Sequence, residues 1–272
     1  MPLPWKRLLV VAPHPDDESL ATGGLIRRAV VNGASVRVVL ATDGEFNHWP
    51  QRYVEGRWRI RPADRERWGA RRRKEAIAAL AMLGVTQAQI DFLGLPDNRL
   101  GGLGVTELRR HLAPIIEEFV PDLVVSPSNC DLHPDHRLLA TTVERILDEL
   151  PPPHFQVLTY VTHGCADASR LIVELQLTDE EKDSKLGAIL CHETQLALSR
   201  ARLLRFANES EVFYQPGDRA PRLAHLKRLW EICFPGPFPS RRRASSAVGG
   251  SPRVPHDSSQ PAVVDSRQLG NR

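Results

Sequence analysis

The hydrophobic positions near the start of the chain change period twice. Leu8 to Ala12 is an unbroken apolar run, which predicts a buried strand over Lys6–Ala12. From Asp17 to Val31 the apolar residues recur at helical spacing, with acids at the positive end of the expected helix and Gly33 as its stop. Ser35 to Ala41 is apolar again, through Val36, Val38, Val39 and Leu40. Strand, helix and strand in about 35 residues predict a βαβ unit with parallel strands.

The alternation continues. Helices are expected over Arg65–Leu83, Thr106–Phe119, Arg137–Leu150, Asp179–Gln195 and Pro221–Trp230. Strands are expected at Gln89–Leu93, Asp122–Ser126, Phe155–Val161 and Leu171–Leu175, with a turn-rich Gly94–Asn98 after the first of these. The fold class that follows is α/β, a three-layer sandwich with a Rossmann-like, mostly parallel sheet. From about Pro235 the periodicity ends and Pro, Gly, Ser and Arg take over. The chain therefore divides into a domain over residues 1–236 and a tail over 237–272 with too little apolar surface to order itself.

Composition changes this picture little. The 272 residues are 42% hydrophobic and 25% charged, with a net charge of +3, which is ordinary globular chemistry. No run of apolar residues is long enough for a transmembrane helix, and Leu8–Ala12 is too short for the core of a signal peptide. A cytoplasmic address is the expectation. The four cysteines are scattered without a CxxC pair, so they read as thiols.

In open α/β sheets ligands bind beyond the carboxyl ends of the strands. Those ends carry His14, Asp16, Asp17 and Glu18, then Asp43 and Glu45, then Asp97, and last Asp131, His133, Asp135 and His136. No GxGxxG or GxxxxGK[ST] turn is present, which argues against a nucleotide cradle. His14/Asp17 and His133/His136 share an i, i+3 spacing where strand passes into helix, a pattern that suits Zn²⁺. Capped turns explain the same spacing equally well, so spacing alone leaves both readings open.

The motifs in order add more. Ala12-Pro13-His14-Pro15-Asp16-Asp17-Glu18 resembles the first signature of the LmbE/PIG-L family of zinc-dependent de-N-acetylases, and His133-Pro134-Asp135-His136 resembles its HxDH signature. Arg72–Ala76, Phe92–Asp97 and the Lys185–Gln195 stretch are similar to the family's intervening and later segments, so the resemblance spans roughly residues 6 to 215. It implies that His14, Asp17 and His136 bind zinc, or another divalent transition metal, and that Asp16 is the general base. It also implies an oxyanion held by a protonated His133, with Asp135 orienting that imidazole and raising its pKa. The expected reaction is hydrolysis of the acetamide of an N-acetylglucosamine-type sugar or glycoconjugate.

Four further residues match positions near sugar in that family, each with a plainer reading beside it. Glu45 and Arg72 are substrate candidates, yet an arginine in a charged helix is commonly solvated. Asp97 is a sugar-hydroxyl contact or a turn residue. His192 lies near the site or is a satisfied buried histidine. The stretch Asn47–Trp68 departs from a minimal family pattern. It opens a region where nine arginines fall between Arg52 and Arg73, interleaved with Trp49, Tyr53, Trp58 and Trp68. As a loop over the sheet edge it could stack on sugar, bind an anionic group of the substrate, bind single-stranded nucleic acid, or pack only on itself. Two other functions remain beside the first: an amidase of this family acting on a larger acylated conjugate, and a nucleic-acid-binding module. The second is disfavoured, since a binding module needs no base beside a metal.

Overall fold

A computed structural model of the protein describes residues 4–150, 155–164 and 168–217. The expected helix at Pro221–Trp230, the Pro151–Pro153 stop and the tail over 237–272, with its boundary, lie outside the described residues.

The strands are β1 (Arg7–Ala12), β2 (Ser35–Thr42), β3 (Ile90–Leu95), β4 (Leu123–Pro127), β5 (Gln156–Tyr160), β6 (Leu171–Gln176) and β7 (Ser210–Tyr214). They form one sheet in the order β3-β2-β1-β4-β5-β7-β6. The first five are parallel, and the β7-β6 pair adds antiparallel to β5. Helices α1 (Asp17–Val31), α3 (Pro62–Met82) and α6 (Asp179–Cys191) contribute to one core with Leu8, Val10, Val36 and Val38. Helices α4 (Leu100–Phe119) and α5 (Pro134–Glu149) close the other face over Leu9, Val11, Val39 and Val124. Alternate residues of β1 thus enter different cores, which is why its sequence is apolar without alternation. The α/β sandwich expected from the pattern is what forms.

Three differences from the sequence reading have local causes. The Asn47–Trp68 stretch is not a loop: it holds α2 (His48–Glu55) and about the first two turns of α3, which starts with Pro62 at a position where a missing N–H is harmless. Helix α4 begins at Leu100, six residues early, because a break at Gly104 (φ 73°) joins two helical pieces. The single helix expected over Asp179–Gln195 is α6 followed by α7 (Glu193–Leu204), parted at His192. Among the described residues no helix is long and apolar enough to cross a membrane.

Candidate metal centre and active site

Strand order reverses between β1 and β4, so the loops leaving these neighbours part in opposite directions and open a crevice. Both HxxD- and HxxH-spaced segments start there. Behind β1 the chain turns sharply into α1 through Asp16, whose φ of 147° and ψ of −33° are unusual for a residue with a Cβ. The turn is held from two sides. Glu18 Oε2 accepts the Asp16 amide at 2.9 Å, while Glu18 Oε1 lies 3.1 Å from His192 Nε2. Arg72, buried, donates to Pro15 O at 2.6 Å and to Gly44 O at 3.0 Å and lies 3.4 Å from Asp16 Oδ2. Gly44 has φ +64°, and a Cβ there would fall 1.6 Å from Arg72 Nη1. Only glycine fits both the backbone and the guanidinium.

These supports bring three donor atoms together. His14 Nδ1 lies 3.2 Å from Asp17 Oδ2, His136 Nε2 lies 3.2 Å from the same oxygen, and the two nitrogens are 3.3 Å apart. A tetrahedral ion with ligands at about 2.0–2.1 Å separates its donors by about 3.3–3.4 Å, so this triangle is one face of such a tetrahedron. Overlapping sets are also within reach: His14/His133/His136 and Asp17/His136/His163 each place donors within 4.8 Å of one another.

Outer partners fix both imidazoles. His14 Nε2 faces Asp97 Oδ1 at 3.2 Å and Asp135 Oδ2 at 3.5 Å, and His136 Nδ1 faces Asp131 Oδ2 at 3.3 Å. Carboxylates behind metal-ligating histidines set ring orientation and ligand basicity. Asp17 Oδ1 in turn accepts Thr162 Oγ at 2.9 Å. Asp17, Asp97, Asp131 and Asp135, all buried, surround two buried histidines. Buried anionic charge in excess of its partners favours a dication. In the metal-free site protons take that place: burial pulls His136 down, but Asp17 and Asp131 outweigh it and raise it to about 9. His14 is held well above its usual value in the same way, by Asp135, Asp17 and Asp97 against burial.

Asp16 behaves differently from its neighbour. Burial, with Asp17 adding to it against the opposing pull of Arg72, raises its carboxyl to about 6. Asp17 is driven well below the carboxylate range, since His136 and His14 outweigh its burial. Adjacent acids in environments that push their pKa values apart are suited to separate roles.

Around His133 the geometry corrects the sequence reading. Asp135 does not direct its carboxylate at that ring; its oxygens accept the amides of Asn98 (2.7 Å) and Leu100 (3.2 Å) and reach His14. The cause is helix capping: His133 is the N-cap of α5, and its Nδ1 accepts the Asp135 amide at 3.2 Å. In the metal-free site burial and the positive His14 and His136 outweigh Asp135, which does raise His133, and push the ring down to about 4. There it is neutral, with its proton on Nε2 because Nδ1 accepts.

The four substrate candidates separate as well. Asp97 is buried, with Oδ2 accepting the Phe46 amide at 2.8 Å and Oδ1 against His14. His192 is buried against Ser19 and Glu18 beneath the Asp16 turn. Arg72 is buried rather than solvated, and its end nitrogens donate to the turn. Among the described residues Glu45 keeps a carboxylate oxygen, Oε2, without a hydrogen-bond partner, while its Oε1 accepts the Asp97 amide. Thr162 and His163 are the additions, and Asp131, expected at a strand end from the sequence, faces His136. His163 stands edge-on to His136, ring centres 4.9 Å apart. These residues follow β4 and β5, and their place after strand ends was the available signal.

Comparisons with known proteins identify the family. Residues 9–147 match the model of the family PIG-L: GlcNAc-PI de-N-acetylase. The chain is 35% identical to 1D-myo-inositol 2-acetamido-2-deoxy-alpha-D-glucopyranoside deacetylase of Mycobacterium sp. (strain KMS), over 71% of this chain and 75% of that one. It is 30% identical to a probable N-acetyl-alpha-D-glucosaminyl L-malate deacetylase 2 of Bacillus anthracis, over 74% and 86%. Its fold is similar to that of N,N'-diacetylchitobiose deacetylase from Pyrococcus horikoshii, with a TM-score of 0.57 at 24% identity, over 77% and 83%. With more than half its length matched and relatives of this identity, the chain belongs to the PIG-L (GlcNAc-PI de-N-acetylase) family and is a hydrolytic de-N-acetylase.

Proposed function

We propose that this enzyme removes the N-acetyl group from a glucosamine unit of a small glycoconjugate, with zinc held by His14, Asp17 and His136 and Asp16 as the acid–base group. The observation that carries this reading is the donor triangle with 3.2–3.3 Å edges, beside a carboxyl raised to about 6. Bound by these donors, zinc would lower the pKa of water toward ~7 and polarise the acetamide carbonyl.

The chain's own groups supply the rest. Asp16, ionised above about pH 6, takes the proton of the attacking water and returns it to the departing amine. His133, neutral and fixed by the Asp135 amide, donates from Nε2 to the carbonyl oxygen as negative charge develops there. Asp97, Asp131 and Asp135 hold the two ligating rings, and Arg72 with Glu18 holds the Asp16 turn. The relatives' substrates are N-acetylglucosaminyl conjugates of inositol and malate, and a similar small conjugate is proposed here.

The test is direct. Enzyme loaded with zinc should release a primary amine and acetate from methyl N-acetylglucosaminide or from its inositol or malate conjugates. Metal-loaded, folded protein that releases amine from none of these sugars would overturn the reading.

A further inference from the structure

Three arginines at the lip of the site stand apart from the others. Arg67, Arg71, Arg72 and Arg73 of α3 each pair with a carboxylate. Arg52, Arg65 and Arg99 have no acidic partner among the described residues. They gather instead around aromatic rings. Arg65 and Arg99 both lie over the Phe46 ring, 4.5 and 4.6 Å from its centre, and Arg52 lies over Trp49 at 5.1 Å. His48, whose ring is 5.7 Å from that of Phe46, is pushed down by burial and by the charges of Arg65, Arg52 and Arg99. Like charges converge here, with Asp97 opposing them at His48.

Polar atoms in the cluster also lack partners. Arg52 Nε, Arg65 Nε and His48 Nδ1 are buried from solvent and make no hydrogen bond among the described residues. The cluster is tied to the reaction centre through the chain: the Phe46 amide donates to Asp97 Oδ2, and Asp97 Oδ1 faces His14. An aromatic ring that orients guanidiniums toward an open edge prearranges the planar donors used for phosphate and carboxylate.

We propose that Arg52, Arg65 and Arg99, set around Phe46 and His48, form a subsite for an anionic group, phosphate or carboxylate, on the part of the substrate beyond the sugar. This rests on the de-N-acetylase reading and narrows it to charged conjugates. Charge-assisted hydrogen bonds of this kind govern affinity by about 10- to 100-fold.

The experiment compares kcat/KM for the zinc-loaded wild type, Arg99→Gln and the Arg65→Gln/Arg99→Gln double variant. The three substrates are methyl N-acetylglucosaminide, N-acetylglucosamine 1-phosphate and N-acetylglucosamine glycosidically linked to glycolate. The wild type should prefer at least one anionic substrate, and whether the phosphate or the carboxylate leads identifies the source of the charge. The double variant should lose about 10- to 100-fold on that substrate and stay within about twofold on the neutral one. Arg99 is exposed, so Arg99→Gln leaves the fold intact and should show part of the same loss. Equal changes on all three substrates, or none, would overturn the subsite. If no substrate released amine, the catalytic reading would fail on its own. Calorimetric binding of N-acetylglucosamine 1-phosphate to wild type and double variant would then decide the subsite, which falls if both bind alike.

Discussion

Adjacent residues Asp16 and Asp17 are proposed to divide the chemistry, and their substitutions should fail in different ways. Asp17→Ala removes the one carboxylate of the donor triangle and leaves two imidazoles, so bound zinc measured by elemental analysis should fall well below one per chain. Asp16→Asn should retain the ion and lose on the order of 10²–10⁴ in kcat, the range for a positioned acid–base group. It should also be more stable than the wild type in the metal-free form. The sign follows from linkage: Asp16 has a folded pKa of about 6, above its unfolded 3.8, so the native state binds the extra proton between those values and loses stability as pH rises through them. The uncharged amide escapes that penalty, and Asn tolerates a positive φ better than most residues. Its Tm advantage should therefore be present at pH 7–8 and vanish below about pH 4. Loss of zinc in Asp16→Asn, or an unchanged kcat, would mean that the roles are assigned wrongly.

At the scale of elements, the buried Lys185–Glu211 pair joins α6 to β7 and both to α1. Glu211 accepts Lys185 Nζ at 2.7 Å and the amides of Gly24 and Leu25 at 2.7 and 2.9 Å. The contact is close because Gly23 and Gly24 carry no side chains; a Cβ on Gly24 would fall 2.4 Å from Leu177 Cδ2. Glu211→Leu would strand one ammonium and two amides, and should cost about 3–5 kcal/mol, lowering Tm by roughly 6–20 °C. Lys185→Met leaves Glu211 its two amide donors and should be milder in the same thermal melt. The sequence showed little of this. Strands β1, β2 and β4 and helix α1 were legible because their burial is written in apolar runs and spacing. Helix α2 was not, since it buries only Pro50 and Gln51 and leaves its aromatic residues Trp49 and Tyr53 exposed. The break at His192 was hidden as well: its ring packs on Glu18, a contact 174 residues away in the chain. The site shows the same division. His14, Asp17, His133 and His136 stand in short motifs, whereas Thr162 and His163 reach it only because β5 is paired beside β4.

For the whole molecule, the sheet's reversal between β1 and β4 places two histidines and an aspartate from distant segments at one point, so ion binding there should be read out as global stability. A ligand that binds only the folded state at 100 times its Kd adds about 2.7 kcal/mol, or roughly 5–11 °C of Tm at this size. The pH dependence carries the sharper test. His136 has a folded pKa of about 9, raised from 6.5 because Asp17 and Asp131 outweigh its burial. In the metal-free protein its protonated form contributes stability that is complete below pH 6.5 and is lost as pH rises toward 9. Zinc must displace that proton, so its apparent affinity rises over the same interval. Both describe one proton: metal-free protein weakens as the pH rises, while the zinc form, which has already shed it, holds its stability above pH 6.5. Melts with fixed free zinc and with a chelator should therefore separate more at pH 8.5 than at pH 6.5, and calorimetry in buffers of different ionisation enthalpy should detect proton release on binding. A gap that is constant or wider at pH 6.5, or binding without proton release, would exclude His136 as a ligand whose proton the ion replaces.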